Sequence, residues 1–439
     1  MKGYGMPERV STQIHDALGR YVLEARNAFS QPISRVLQRD VFGNALQVAN
    51  IDGVKTLSGA DFMGRPFISW TETGAWRKTL INTGSGTYCP AGKTAFHSIS
   101  SGGGQPIQYR CSDILGREIR AATEGFSGSF VFVDTEYDEN GRVARISEPR
   151  FSNGSLLWNE TAYDDLGRIS AILAVDGNDT SYDYDETASA CGKPGAAGQV
   201  RTTNGLGQVQ LEVRSAMGEI TNVYDNACGL ISYDYDSVGN LIKLTGADGV
   251  VTTMIYDKAG RKTSLNDADK GNWQYAYDPL GEMTRQVDSK AQAVDFEFDD
   301  MGRVTTRYER TAVSSLTDNT HNTINSESTS WINSTSASVK GKGQASSINY
   351  RTGSSGAVVH QLNITFDSYG RASLQTQTLD GLVLSDETTY DQFGRVFQQF
   401  DASGDDRGVR LHYNTRGYLE RLQEAREGAQ GMMYQQILS

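Results

Sequence analysis

The chain has no apolar run approaching transmembrane length, and its opening residues, MKGYGMPERV, contain no hydrophobic signal core. Neither a membrane-spanning helix nor a secretory leader is expected within it. Export by another route, or membership of a longer polypeptide, is the expectation, the second favoured because Asp16 already belongs to the repeat described below. Basic charge is also short: 41 Lys and Arg against 53 Asp and Glu leave a formal charge of -12. Nucleic acid and anionic membrane surfaces, which need a basic patch, are not expected partners. The 5 histidines share no ligand spacing and the 4 cysteines form no Cys-x-x-Cys, so no zinc site or other cofactor is expected. Proline is scarce, at 8 residues, and long helical stretches are missing.

Glycine and tyrosine are abundant instead, at 47 and 21 residues, a strand-and-turn balance. Asp16, Asp40, Asp61, Asp113, Asp138, Asp164, Asp236, Asp257, Asp278, Asp299, Asp367 and Asp391 each have glycine three residues on, and four of these twelve steps run in register at 21-residue intervals. Composition alone would scatter roughly four such pairs through a chain this rich in Asp and Gly. Arg follows the glycine in nine of the twelve, and an aromatic usually precedes the aspartate.

The unit YDxxGR reads as a hairpin turn. The aspartate accepts a backbone hydrogen bond, two permissive residues form a type I turn, and glycine supplies the positive φ that returns the chain to a strand. A second tight turn, such as Asp248-Gly249, falls midway, so one period is two short strands and two turns. Thr252, Met254 and Tyr256, then Trp273, Tyr275 and Tyr277, then Val294, Phe296 and Phe298 place an aromatic and apolar ladder on one face. Repeat-structural roles fall to Tyr163, Asp164 and Gly167; Tyr235, Asp236 and Gly239; Tyr256, Asp257 and Gly260; Tyr277, Asp278 and Gly281; Phe298, Asp299 and Gly302; and Tyr390, Asp391 and Gly394. The predicted fold is all-β, a sheet of repeated antiparallel hairpins.

The repeats vary along the chain. Residues 1–135 carry irregular repeats, 136–310 regular ones, 311–365 a Ser/Thr/Asn-rich widened hairpin, and 366–439 further repeats with an unfinished end. The last stretch, LERLQEAREGAQGMMYQQILS, reads as helical up to its glycines. Cys89 with Cys111, and Cys191 with Cys228, flank Gly-rich excursions, so each pair is either a disulfide stapling an irregular repeat or two buried thiols. Disulfides would suit an extracellular setting.

Apparent catalytic motifs fail on spacing. GSGTYCPAGKT has five residues between Gly86 and Gly92 where a phosphate loop needs four, and Asp267, Asp269 and Gly271 lack the rest of a calcium loop. The doubled YDYD at Tyr182 and Tyr233 is either a calcium-binding carboxylate pair or a solvated strand end. No carboxylate pair stands out among 53 acids as a glycosidase or lyase centre.

YDDLGR at Tyr163, YDSVGN at Tyr235, YDKAGR at Tyr256, YDPLGE at Tyr277, FDDMGR at Phe298, FDSYGR at Phe366 and YDQFGR at Tyr390 resemble the YD repeats of the Rhs family, which includes bacterial Rhs toxins, Tc toxin shell components and teneurins. The resemblance implies a β-strip spiralling into a hollow shell that in several members encloses a C-terminal toxic domain. The core segment with an aspartyl self-cleavage site is missing, and Asp278-Pro279 lies in an ordinary repeat turn. The expected function is a non-catalytic wall segment of a secreted or cell-surface shell, partnered by the rest of the same polypeptide, its core and its toxin domain. The alternative is a glycan- or receptor-binding β module, with Trp76 and Trp331 as stacking candidates because both lie in irregular segments.

Overall fold

The computed structural model describes residues 9–184, 198–318, 322–400 and 407–426. Among them are 34 strands, and each pairs antiparallel with its neighbour in sequence, from Thr12–His15 to Leu419–Arg426. No residue among those described is helical, and no helix is long and apolar enough to cross a membrane. The result is one continuous meander. A single sheet has no enclosed interior, so few apolar side chains are fully covered, Leu211, Ala122 and Cys111 among them. Stability resides in cross-strand pairs along half-buried ladders.

All twelve aspartate turns connect strands in the same sense, which places them along one rim of the strip, here called the signature rim. Each is a type I turn closed by glycine: Gly141 N–H donates to Asp138 O at 3.0 Å, and Asp138 N–H to Arg142 O at 2.8 Å. Beside most of these turns the register slips, so Tyr163 faces Ile169 while Ala162 faces Ala171. The extra residue on the returning strand is a bulge, and bulges bend and twist the strand that carries them. Repeated along one rim, they coil the strip.

The coil meets itself. Turns of the opposite rim between Asn27 and Ser129 lie against signature-rim turns and loops between Asp278 and Tyr418. Arg9 pairs with Glu282 at 2.5 Å, Gln31 Nε2 donates to Ser334 O at 3.0 Å, and Lys340 Nζ donates to Asp52 O at 2.6 Å. Further along, Arg395 Nη1 donates to Gly104 O at 3.3 Å, and Arg416 Nε bonds Glu124 at 2.6 Å. Residue numbers rise together on both sides, as a spiral requires. Contacting partners are mostly some 290 residues apart, as for Lys342 with Asp52 and Arg395 with Gly104. The second coil therefore docks along the first through its turn tips.

One sequence expectation is corrected. The stretch from Leu419 is a strand, not a helix: Leu419–Arg426 pairs with Arg407–Tyr413 throughout, with Leu411 opposite Leu422. The three-residue spacing of Leu419, Leu422 and Ala425 suits a helix, but an open strand edge beside it offers a full ladder of hydrogen bonds. Tertiary pairing overrides propensity here.

Candidate functional site

The YD signature builds a device that joins consecutive repeats. Within the turn, Asp138 Oδ1 accepts the N–H groups of Asn140 and Arg142 at 2.9 and 2.8 Å, and Oδ2 accepts Arg142 Nε at 2.7 Å. The same arrangement recurs at Asp164, Asp257, Asp299 and Asp391. Where Asn replaces Arg, Asn240 Nδ2 takes over the bond to Asp236 at 2.8 Å. The backbone N–H of Arg261, with its guanidinium adding to the effect, holds the Asp257 carboxyl below the ordinary aspartate range.

The fixed guanidinium is the seat for the next repeat's aromatic. Arg142 lies 4.1 Å over the Tyr163 ring, and Tyr163 Oη donates to Val143 O at 2.8 Å. Arg261 with Tyr277 and Lys262 O, and Arg371 with Tyr390 and Ala372 O, repeat the clasp. Trp331 occupies the tyrosine place in the widened repeat: Arg303 sits 4.7 Å over its ring and its Nε1 donates to Val304 O at 2.9 Å. The turns preceding Tyr235, Tyr256 and Phe298 close on Glu219, Asn240 and Glu282, so those aromatics have no guanidinium at that place. Gly167, Gly239, Gly260, Gly281, Gly302 and Gly394 hold φ between +77° and +96°. The Tyr277→Phe variant loses one hydrogen bond and keeps the stack, an expected cost of about 1 kcal/mol in a urea melt. Arg261→Ala removes both the stack and the anchor of Asp257, and its midpoint is expected below that of Tyr277→Phe.

On the face away from the ladder lie two charge clusters at equivalent repeat positions. Asp134 accepts from Arg120 Nε at 2.5 Å and Arg150 Nη2 at 2.9 Å. Asp295 accepts from Arg285 Nε at 2.5 Å and from Arg310 Nε. Each aspartate stands three residues before the repeat aromatic, and Arg120 and Arg285 each stand four after the turn glycine. Both aspartates are almost fully buried, at 6% and 8% exposure. Burial, the largest single influence, pushes each carboxyl up, but the hydrogen bonds and charges of the paired arginines together outweigh it and hold both below the usual range.

A loop roofs each cluster. Over Asp295, Arg285 Nη1 donates to Leu316 O and Asp318 O at 2.9 Å, and Val313 packs on Val287 and Ala293. Beside Asp134, Cys89 and Cys111 are joined by a disulfide with Cα atoms 5.6 Å apart, and Tyr88 stacks on Phe130 at 4.0 Å. Pro90, Lys93, Arg117, Glu136 and Trp158 then border an open recess of about 590 Å3. Its charges are internally paired, Lys93 and Arg145 with Glu136 and Arg117 with Asp113. Cys228 lies at the end of a strand-linking turn, and Cys191 falls outside the described residues. Closing a 22-residue span, the Cys89–Cys111 bond is expected to contribute about 3 kcal/mol. A Cys89→Ser/Cys111→Ser variant tests this by its melting midpoint with and without reductant, the wild type losing more stability on reduction than the variant.

Trp76 is 38% exposed, faces Trp70 across a hairpin, and has its indole beside Gly103 at the seam. Among the described residues no group of three or more His, Cys, Asp or Glu side chains is arranged to hold a metal ion.

A one-layer strip of bulged hairpins, clasped repeat to repeat and docked on its own preceding coil, defines a YD-repeat β-shell wall. Residues 235–272 match the RHS repeat family, and the chain resembles that family through the same turn unit repeated from Asp16 to Asp391. Its fold is similar to that in a structure of the Photorhabdus luminescens Tc holotoxin pore with a mutated TccC3: TM-score 0.76 at 14% identity, over 98% of this chain and 27% of that one. Crystal structures of TcdB2-TccC3 and of TcdB2-TccC3-Cdc42 match with TM-scores of 0.59 and 0.60 at 15% and 13% identity, each over 95% of this chain and 27% and 30% of theirs. The chain thus spans under a third of the solved chains it resembles. No curated protein matches it in sequence.

Proposed function

We propose that the chain is a non-catalytic wall segment of a secreted toxin-complex shell, which surrounds or presents a further domain of the same polypeptide. The observation that carries this reading is the seam. Two coils packed rim on rim make a continuous wall, whereas a binding module built of one hairpin strip has no need to return to itself. The likeness in fold to Tc toxin structures supports the same reading. The buried charged groups are neutralised by partners within the wall, as a structural role requires and an acid–base pair poised for catalysis does not.

The test is protection. In the native polypeptide, any domain enclosed by the wall should survive a protease dose that digests the same domain expressed alone. Equal digestion of both would overturn the enclosure reading.

A second reading has its own observation: Trp70 and Trp76, opposite each other and both more than a third exposed, form an aromatic platform suited to a sugar ring or a receptor surface. Under that reading Trp76→Ala abolishes binding on a glycan array while the protein melts normally. Under the wall reading no glycan binds.

A further inference from the structure

The two roof loops cover equivalent charge clusters but are fastened differently. Over Asp295 the fastening is noncovalent and close: Arg285 Nη1 donates to Leu316 O and Asp318 O, both at 2.9 Å, Val313 N–H donates to Ala291 O at 3.0 Å, and Val313 is 1% exposed. Over Asp134 the equivalent arginine, Arg120, reaches the loop at Tyr88 O only at 3.4 Å, and Lys93, its side chain 70% exposed, meets Glu136 at 3.3 Å. Exposed pairs of that kind contribute little. The middle of this loop is therefore held by the packing of Tyr88 on Phe130 and Tyr109 and by the Cys89–Cys111 bond.

The loop can leave without disturbing the sheet. Trp76–Thr83 and Phe96–Gly102 pair as far as Thr83 opposite Phe96, and below that the hairpin is closed by Gly84 N–H donating to Ala95 O at 2.6 Å and His97 Nδ1 donating to Gly84 O at 2.8 Å. Residues 86–93 lie outside the ladder. Gly86 and Gly92 stand within that stretch, so its release regains much backbone entropy.

We infer that the Cys89–Cys111 bond is a redox latch, whose reduction frees residues 86–93 from the sheet and uncovers the Asp134 cluster while every strand stays paired. Cys111 is fully buried and Cys89 is 9% exposed, so a dithiol attacks at the Cys89 sulfur. The S–S bond breaks and Cys111 leaves as a thiolate. The reagent's second thiol then closes its own disulfide and frees Cys89, so that two electrons and two protons pass to the protein. Arg120 stands opposite Cys111 in the strand register, and the cluster holds two guanidinium groups against one carboxylate, a field that favours the departing thiolate. The freed loop carries Pro90, Ala91 and Lys93 away from the recess they border, which is thus a feature of the oxidised state. A chain moved from an oxidising to a reducing compartment opens this roof and keeps the other shut. The inference rests on the two roofs alone and is independent of cargo enclosure and of glycan binding.

Hydrogen exchange of the 439-residue chain in native buffer, with and without dithiothreitol, tests it. Alkylation read by mass establishes whether Cys89 and Cys111 have been reduced in the folded protein. On reduction the amides of Cys89 and Thr94, which donate within the loop to Gly86 O and Pro90 O, are expected to exchange about tenfold faster or more, while 76–83, 96–112 and 312–318 remain protected. Reoxidation should restore the slow rate. Cys89→Ser/Cys111→Ser is expected to match the reduced wild type at 86–94 with or without reductant. A bond that resists dithiothreitol until the chain unfolds would overturn the latch. So would a reduced loop that keeps its slow exchange, a serine variant whose loop stays protected, or a loss of protection that spreads into 96–112.

Discussion

Replacing Asp295 by alanine is expected to destabilise the protein by about 3–5 kcal/mol. The reason is the two arginines left behind. Arg285 and Arg310 have side chains only 11% and 17% exposed, and without the carboxylate their charges sit desolvated under the 312–318 loop. The triple change Arg285→Met/Asp295→Leu/Arg310→Met removes all three charges together. It is expected to melt within about 2 kcal/mol of the wild type, because desolvating a buried ionic group offsets most of the attraction within it. Urea melts of both variants decide the matter. A triple variant as unstable as Asp295→Ala would show that the polar contacts, not the stranded charges, carry the effect.

The same cluster sets an acid limit. The Asp134 and Asp295 carboxyls are held below their unfolded value, so the unfolded chain binds protons first as pH falls. Their contribution is fully present above the unfolded aspartate value near 4 and is lost as pH drops through the lower folded value. Wild-type stability is therefore expected to be flat in these groups from neutral pH to about 5 and to fall below about 4, with a shallower fall in the triple variant. Equal slopes would remove the aspartate as the cause.

The second large effect is expected at Gly417. Its φ is +87°, and a methyl group there would overlap Gly104 O across the seam. Gly417→Ala must therefore strain the turn and also push the coils apart. Gly218 is the control, with the same φ of +87° and nothing within 4 Å of the place its methyl group would take. Gly218→Ala is expected to cost about 1 kcal/mol from backbone conformation alone, and Gly417→Ala about 3 kcal/mol. Hydrogen exchange locates the difference: amides at 124–128 and 414–418 should lose protection in Gly417→Ala only. Equal costs would mean that the seam yields freely at this point.

The turn was legible because its chemistry is local. Asp, two free residues and Gly specify it within four positions, and repetition separates it from chance. The clasp was half legible. Tyr and Arg recur in register, but that the guanidinium of one repeat seats the aromatic of the next follows only when strands are paired. Trp331 shows the limit, since its irregular surroundings suggest a ligand surface, whereas Arg303 and Val304 give it the tyrosine's place. The charge clusters leave a signal that aligning the repeats would reveal, with Asp134 and Asp295 at one position and Arg120 and Arg285 at another. The seam leaves none, because Glu124 and Arg416 meet across 292 residues and no periodic pattern names the pair.

That separation has a kinetic meaning. Every strand pairs with its immediate neighbour, so the strip can form from contacts close in sequence, and only the seam must wait for distant parts of the chain to meet. The coils are joined at the rims by side chains and turn carbonyls, not by a strand ladder. The seam is thus the last part of the wall to assemble and the first to part. It is a line along which the two coils can separate while every hairpin remains folded.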